Sequence, residues 1–283
     1  MNKKWFPYVI LAPGLILFVI FTGIPIFYTL LGSITYNGTT ELLSNVITLL
    51  EDSLLLKSIW NTIIILALYL LMKIPIAFLL AYFISKLSKI ERFVLTIIFI
   101  PTTIGNFAYG VIFRFLFSNN GFVSSFFQSM GFSVEFLSNP FLSKLVIAIA
   151  LFVSSFGTMT LFLLLAIKNN ISKDLVDLSE IDGIGVIDKF KKIYIPLLKP
   201  LISLFVLFSV IETVALIELP MQLTQGGPNN STITIGYYIY NQAIKYGHFS
   251  YATFISLLIS LILIAILLSS RSFKQRGYVY EER

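Results

Sequence analysis

Six runs of apolar residues, each long enough to cross a bilayer, constrain this chain more than any other feature. They extend over roughly Phe6 to Ile34, Ser58 to Ile84, Phe93 to Phe117, Phe141 to Ile167, Leu201 to Leu223 and Tyr251 to Ser269. A spanning helix needs about 20 apolar residues to cover a hydrocarbon layer about 30 Å thick. In that layer the backbone must satisfy its own polar groups, and runs this continuous exclude the short alternating strands of a barrel. The expected fold is therefore all-α, a polytopic membrane protein with six transmembrane helices. Composition agrees: 57% of the residues are hydrophobic and 12% charged, where a soluble domain carries roughly 25% charged residues. Lys3 and Lys4 precede the first run as they would in a secretory signal. That run is too long for a signal's apolar region, however, and no small-residue cleavage pattern follows, so it reads as a retained helix.

The distribution of charge orients the helices. With six spans both termini lie on one side, and the connecting loops fall into two sets. One set holds Lys3, Lys4, Lys86, Lys89, Arg92, Lys168, Lys173, Lys189, Lys191, Lys192, Lys199, Arg271, Lys274, Arg276 and Arg283, which is 15 of the 20 Lys and Arg residues. The other set holds Lys57, Arg114, Lys144 and Lys245, and Lys73 lies inside a span. Lys and Arg accumulate on the cytoplasmic side, so both termini and the loop from Lys168 to Lys199 are expected there. The net charge of +6 is thus a matter of membrane topology and gives no reason to expect nucleic acid as a partner. The chain has no cysteine, which excludes disulfides, thiolate catalysis and zinc held by cysteine. Helix-breaking residues inside the spans (Pro13, Pro25, Pro75, Pro101 with Gly105, and Gly157) point to a kinked, packed bundle, because neighbouring helices must satisfy the backbone groups they release.

Four of the five connections need no explanation beyond topology. The fifth, Ser172 to Pro200, is too long and too patterned to be a link. Ser172 can cap a helix, with Asp174 favoured in its first turn. Leu175, Leu178 and Ile181 recur at helical spacing, Gly183 and Gly185 interrupt, and Ile184, Ile187, Phe190 and Ile193 resume an apolar stripe. The expected product is an amphipathic helix–turn–helix whose stripe needs a partner, either another protein or the lipid interface.

This stretch resembles the cytoplasmic signature of inner-membrane permease subunits of ATP-binding-cassette importers, in the carbohydrate-uptake branch that includes the maltose-transporter permeases. The signature reads E-A-A, three residues, G, nine residues, I-x-L-P. Asp177, Leu178 and Ser179 stand at the E-A-A positions without matching them. Gly183 follows after three residues, and Ile193, Tyr194, Ile195 and Pro196 after nine more. Asp182 with Gly183, and the closing stretch from Pro196 to Pro200, match the family wording. Between the last two spans, Thr224-Gln225-Gly226-Gly227-Pro228 through Thr232, with Tyr238-Ile239-Tyr240, resembles the T-x-G-G-P-x-x-x-T and Y-I-Y wording of sugar permeases. Pro101 to Gly121 follows a looser family pattern, so the resemblance covers nearly the whole chain.

The resemblance implies a single permease domain over 1–283 with a coupling loop at 171–200. Asp177, Leu178, Ser179, Asp182, Gly183, Ile187 and Phe190 would dock on an ATPase subunit. The implied partners are a second permease in a heterodimer, an ATPase dimer and an external solute-binding protein, around a chain embedded in lipid at the inner membrane. No cofactor is implied, and the motor is another chain, since no G-x-x-x-x-G-K-[ST] loop occurs here. The resemblance also places the solute midway across the membrane, between the fourth and fifth spans. Ser154, Ser155, Gly157 and Thr158 on one, with Ser209, Glu212 and Thr213 on the other, are the candidate pathway residues.

Ser209, Glu212 and Thr213 share a helix face by their spacing, and hydroxyl and carboxylate groups suit a hydroxyl-rich solute. Interhelical polar packing is the competing explanation. The same holds for the other ionisable residues in spans, Lys73, Arg114 and Glu218, which could pair or snorkel. An ion-gradient carrier with Glu212 as proton carrier is the alternative function, although six helices without an evident inverted repeat are few for that class. A membrane enzyme is disfavoured because the single histidine, His248, has no Cys or second His nearby and reads as a loop residue. The coupling loop argues against a channel.

Overall fold

The computed structural model describes residues 6–36, 39–87 and 90–271. Lys3, Lys4, Lys89, Lys274, Arg276 and Arg283 of the charge comparison lie outside the described residues. Apart from a short hairpin, which pairs Thr35 with Thr40 and Tyr36 with Thr39, the described elements are helices. In chain order they are α1 (Ile10–Ile34), α2 (Leu42–Glu51), α3 (Ser53–Ser85), α4 (Glu91–Thr103), α5 (Asn106–Phe117), α6 (Phe122–Ser129), α7 (Pro140–Asn170), α8 (Lys173–Ile181), α9 (Ile187–Val214), α10 (Glu218–Leu223), α11 (Ile235–Tyr240) and α12 (Phe249–Arg271). Two compact units contain them: Met1–Ser53 with Tyr238–Gln275, and Leu54–Tyr237 with Arg276–Arg283.

Five of these helices, α1, α3, α7, α9 and α12, are long and apolar enough to cross a membrane, and a bent pair makes the count six when taken as one broken span. That pair is the third expected span. The sequence suggested a continuous crossing from Phe93 to Phe117, but the chain turns by 92° between Glu91–Thr103 and Asn106–Ser129. The cause is local. Pro101 opens a 3₁₀ turn over Ile100–Thr103, and Gly105 is extended at φ −70°, ψ 152°. The Pro101 carbonyl accepts from Ile104 N–H at 3.2 Å and from the Tyr109 phenol at 2.8 Å. A bend between apolar helices is tolerable once such partners take up the freed backbone groups.

The fifth span is displaced from its expected place. It was expected over Leu201 to Leu223, yet α9 runs from Ile187 to Val214. Pro196 has no N–H to donate, and the turn before it widens to π geometry over Phe190–Tyr194, with Ile195 N–H reaching back to Phe190 O. One widened turn lets a helix run through a proline that would otherwise end it. Beyond Val214 the helix stops, so Glu218 belongs to the short α10 and not to the fifth span.

In the unit of Leu54–Tyr237, two apolar cores are strung along α3 and α7. One gathers Ile65, Tyr69, Ile147, Leu151, Leu216 and Leu219, and the other Ala77, Ala81, Met159, Leu163, Leu198 and Phe205. Asn139 caps α7 by accepting from the N–H groups of Phe141 and Leu142 at 2.9 and 3.1 Å, with Pro140 in the first turn. In the other unit, the second half of α1 packs on α12, where the Gly32 backbone approaches Thr253 closely.

Candidate functional site

Between the two cores, α3, α7 and α9 each place polar residues at one level. Tyr69 and Ser155 stand at the midpoints of α3 and α7. The Tyr69 hydroxyl is 2.5 Å from Ser155 Oγ and donates to Glu212 Oε2 at 2.7 Å. Lys73 Nζ donates to the Tyr69 phenol oxygen (Oη) at 2.5 Å and to Ser209 Oγ at 3.1 Å, and lies 3.7 Å from Glu212 Oε2. Thr213 Oγ donates to the Ser209 carbonyl at 2.7 Å. One ammonium, one carboxylate and three hydroxyls thus satisfy one another where apolar packing is interrupted. Such a charge pair inside spans is costly unless both members are partnered.

Not all the candidate pathway residues face this cluster. Ser155, Ser209 and Glu212 form it, with Thr213 one turn along. Ser154 donates to its own helix at Leu151 O, and Thr158 is half-buried. Gly157 is two positions from Ser155, about 200° around the helix, and faces the bent span instead. A Cβ there would lie 2.4 Å from the Ile98 carbonyl oxygen. The cleft on that side, about 330 Å³, is lined by Leu95, Thr96, Phe99, Ile100, Thr103, Gly157 and Leu161. Tyr69 carried no sequence signal as an apolar-run aromatic. Lys73 did, as a lone cation in a span, but its partner could not be read from the sequence.

The patterned loop folds as one short helix and not as a pair. Ser172 Oγ accepts from Leu175 N–H at 3.3 Å and begins α8. Gly183, at φ +67°, ends it, with Ile184 N–H on Ser179 O at 3.0 Å and Asp182 N–H on Leu178 O at 2.9 Å. This left-handed termination favours glycine because a Cβ is strained there. The expected second helix does not stand apart, since its residues begin α9. Leu178, Ile181 and Ile187 are 58%, 80% and 71% exposed, and Asp177, Asp182 and Gly183 also face outward. Ser179 is buried, donating to Val176 O at 2.5 Å. Phe190 turns inward, its ring 5.2, 4.6 and 5.5 Å from those of Phe78, Tyr82 and Tyr194.

The glycine-rich segment after α10 is pinned to the start of α3. Asn61 donates to the carbonyls of Asn230 and Ile233 at 2.9 and 3.1 Å, and Lys57 to that of Asn229 at 2.6 Å. Thr62 Oγ accepts from Ile235 N–H at 3.0 Å. Thr224 and Thr232, the two threonines of the motif, join hydroxyls at 2.6 Å across the turn. Asn61 lies within an apolar run and was missed by sequence reasoning, as was Thr62. Arg114 donates to Gln222 O at 3.4 Å.

In the unit of Met1–Ser53 with Tyr238–Gln275, the Asp52 carboxylate accepts from the Tyr238 and Tyr251 phenols, the latter at 2.7 Å. Gln242 Nε2 donates to the Tyr238 phenol oxygen at 2.5 Å, and Gln242 Oε1 takes His248 Nδ1–H at 2.9 Å. Burial and the Asp52 carboxylate raise the Tyr238 phenol above its ordinary value. His248 lies in the loop before α12, as expected.

Residues 73–275 match the family described as binding-protein-dependent transport system inner membrane component. The chain is 31% identical over 271 residues to the lactose transport system permease protein LacF of Rhizobium radiobacter, covering 90% of this chain and 89% of that one. It is 27% identical to the arabinooligosaccharides transport system permease protein AraP of Bacillus subtilis (strain 168), over 98% and 92% of the two chains. Its fold matches that of a chain in a bacterial ABC transporter involved in the import of the acidic polysaccharide alginate. The TM-score is 0.84 at 21% identity, covering 97% of this chain and 96% of that one.

Proposed function

The chain belongs to the family of binding-protein-dependent transport system inner membrane components, and from that premise we propose that it is a membrane-spanning permease subunit of an ATP-driven carbohydrate importer. It is a multi-pass inner-membrane transport component, and membership of that family favours importer over ion-gradient carrier. In the proposal the whole of 1–283 acts as one permease domain, paired with a different second permease. Two ATPase subunits dock from the cytoplasm, and a solute-binding protein delivers the sugar outside.

The observation that carries this reading is α8 with its outward apolar residues. Leu175, Leu178 and Ile181 are exposed on a helix anchored at both ends by backbone and side-chain hydrogen bonds, in a chain without a phosphate-binding loop. Segment 171–200 is the coupling segment, with Asp177, Leu178, Asp182, Gly183 and Ile187 facing the ATPase. Ser179 is buried, and Val176 of α8 packs against the same core as Phe190. This orientation puts both termini in the cytoplasm, as the Lys and Arg distribution favours. The solute passes beside α7 and α9, where Ser155 and Glu212 supply a hydroxyl and a carboxylate to a hydroxyl-rich cargo, with the buried Ser209 and Thr213 supporting them from behind. Relatives named for lactose and for arabinooligosaccharides support a saccharide.

The test is co-expression with a candidate ATPase and second permease from the same genome, followed by reconstitution in vesicles with the binding protein. Sugar uptake should require ATP inside, persist when the proton gradient is collapsed, and disappear together with ATPase copurification in Leu178→Asp. Uptake that follows the proton gradient and ignores ATP overturns the proposal.

A further inference from the structure

The charge pair between the two apolar cores is asymmetric. Lys73 is the buried member, its side chain 4% exposed, while that of Glu212 is 32% exposed. The ammonium directs its protons inward, to Tyr69 Oη at 2.5 Å, to Ser209 Oγ at 3.1 Å and toward Glu212 Oε2. That same oxygen also takes the Tyr69 proton at 2.7 Å. The Tyr69 hydrogen bond and the Lys73 ion pair therefore converge on Oε2, and Oε1 receives no hydrogen bond among the described residues. A pair buried only for packing is tolerated when further hydrogen bonds satisfy its remaining lone pairs and protons. Here the positive charge is sealed and one edge of the negative charge is left open, beside the half-buried Ser155.

We propose that Lys73 is a positioning residue that seats one oxygen of Glu212 and leaves the other facing a water-accessible path, so that the site takes an uncharged, hydroxyl-rich solute and turns anionic ones away. The inference rests on the reading that the solute passes beside α7 and α9. A free carboxylate oxygen accepts from any hydroxyl, whereas a carboxylate or phosphate on the cargo has no proton to give and meets repulsion at close range. The Lys73 charge offsets that repulsion only partly, because it lies behind Glu212. Tyr69 and Ser209 hold the ammonium there, so a lysine on α3 sets the sign of the charge presented between α7 and α9.

The absence of cysteine from this chain permits a direct test in the assembled transporter. Ser155→Cys is reacted with a cationic and an anionic methanethiosulfonate, followed by mass analysis of this chain, with rates divided by those of a free thiol. The cationic reagent should be favoured by about threefold, rising to about tenfold in Lys73→Gln and reversing in Glu212→Gln, as one uncompensated charge within several ångströms requires. Should Ser155→Cys fail to assemble, Glu212→Cys replaces it. There the anionic reagent should be favoured, and Lys73→Gln should abolish the preference. Thiols that do not react in the assembled complex, or a preference that neither substitution moves, overturn the inference. Assembly with the ATPase and ATP-dependent uptake are scored separately on the unsubstituted chain. Their loss would sink the importer reading, while an unchanged charge preference with uptake intact would sink only this one.

Discussion

The ring of Phe190 packs 4.6 Å from the ring of Tyr82, centroid to centroid, tying the start of α9 to the end of α3. Tyr194 closes on Tyr82 from the same side at 5.3 Å, and Lys86 Nζ lies 4.4 Å over the Tyr82 ring. The cluster sits where α8 joins the body of its unit, at the π-helical turn of α9. Replacing Phe190 with Ala is expected to cost about 3 kcal/mol of packing. ATPase copurification should persist, because Leu178 and Ile181 are untouched, while more ATP is hydrolysed per sugar moved. An unchanged ratio of ATP to sugar would show that the aromatic contact carries no motion.

Gly183 has open space around its Cβ position but a φ of +67°. Strain alone, without any clash, therefore opposes a side chain. Gly183→Ala should destabilise the end of α8 by about 1 kcal/mol, and Gly183→Asn should cost less, since Asn tolerates this conformation. The check is protection of the Asp182 and Ile184 amides in hydrogen exchange; equal protection in both variants would contradict the argument.

Gly157 poses the opposite problem. Its helical backbone is ordinary, yet a Cβ would sit 2.4 Å from Ile98 O and 2.9 Å from Thr102 Cγ2. Gly157→Val is expected to push α4 away from α7 and to lower the unfolding temperature in detergent more than Gly14→Val, where nothing lies within 4 Å. Equal shifts would remove the case for close packing at this point.

Removing the Asn61 amide leaves two carbonyls, those of Asn230 and Ile233, without their donor. At about 1 to 3 kcal/mol for a buried group left unpaired, the loss at the buried Ile233 carbonyl in Asn61→Ala should loosen the glycine-rich segment and expose it to limited proteolysis near Asn229. Asn61→Leu should behave alike, since both lack the donor. Resistance equal to that of the unsubstituted chain would refute the pinning role.

Tyr238 yields a prediction about pH. Its phenol is raised above the ordinary value by burial and then by Asp52, so the stability it contributes is fully present below about pH 10, the value for an unfolded tyrosine. That contribution is lost as pH rises further, because the unfolded chain then releases a proton that the folded one keeps. Tyr238→Phe should therefore lower stability by the same amount from pH 5 to 9. A penalty that changes across that interval would mean that another group governs the Asp52 cluster.

How much could be read in advance differs from element to element. The run from Ser58 to Ile84 and the run from Phe141 to Ile167 lie within α3 and α7, because their hydropathy is continuous and no strong breaker ends them early. Cap and stop signals at Ser172 and Gly183 marked α8 correctly, since both act through the local backbone. Pro101 with Gly105 was recognised as a weak point, but a kink and a turn of 92° share the same local sequence, and the difference lies in Tyr109 and Ile104 capturing the freed carbonyl. Pro196 and Pro200 misled in the other direction: a π-helical turn over Phe190–Tyr194 carries the helix into Pro196, and Pro200 lies inside the helix that follows, so the fifth span was placed too late.

Sequence by itself determined that this chain lives in a bilayer, how many crossings it can make, where one patterned helix interrupts them, and which family wording surrounds it. Those properties depend on residues close in the chain, whose apolar length, charge and spacing act locally. Only the tertiary structure decided which side of each helix meets which neighbour. A span that is apolar all round carries almost no periodic signal for its own rotation, so Lys73 could be seen to need a partner without Glu212 being identified. Ser155 and Gly157, two residues apart, could not be told to face different neighbours until α3, α4 and α9 were in place around α7.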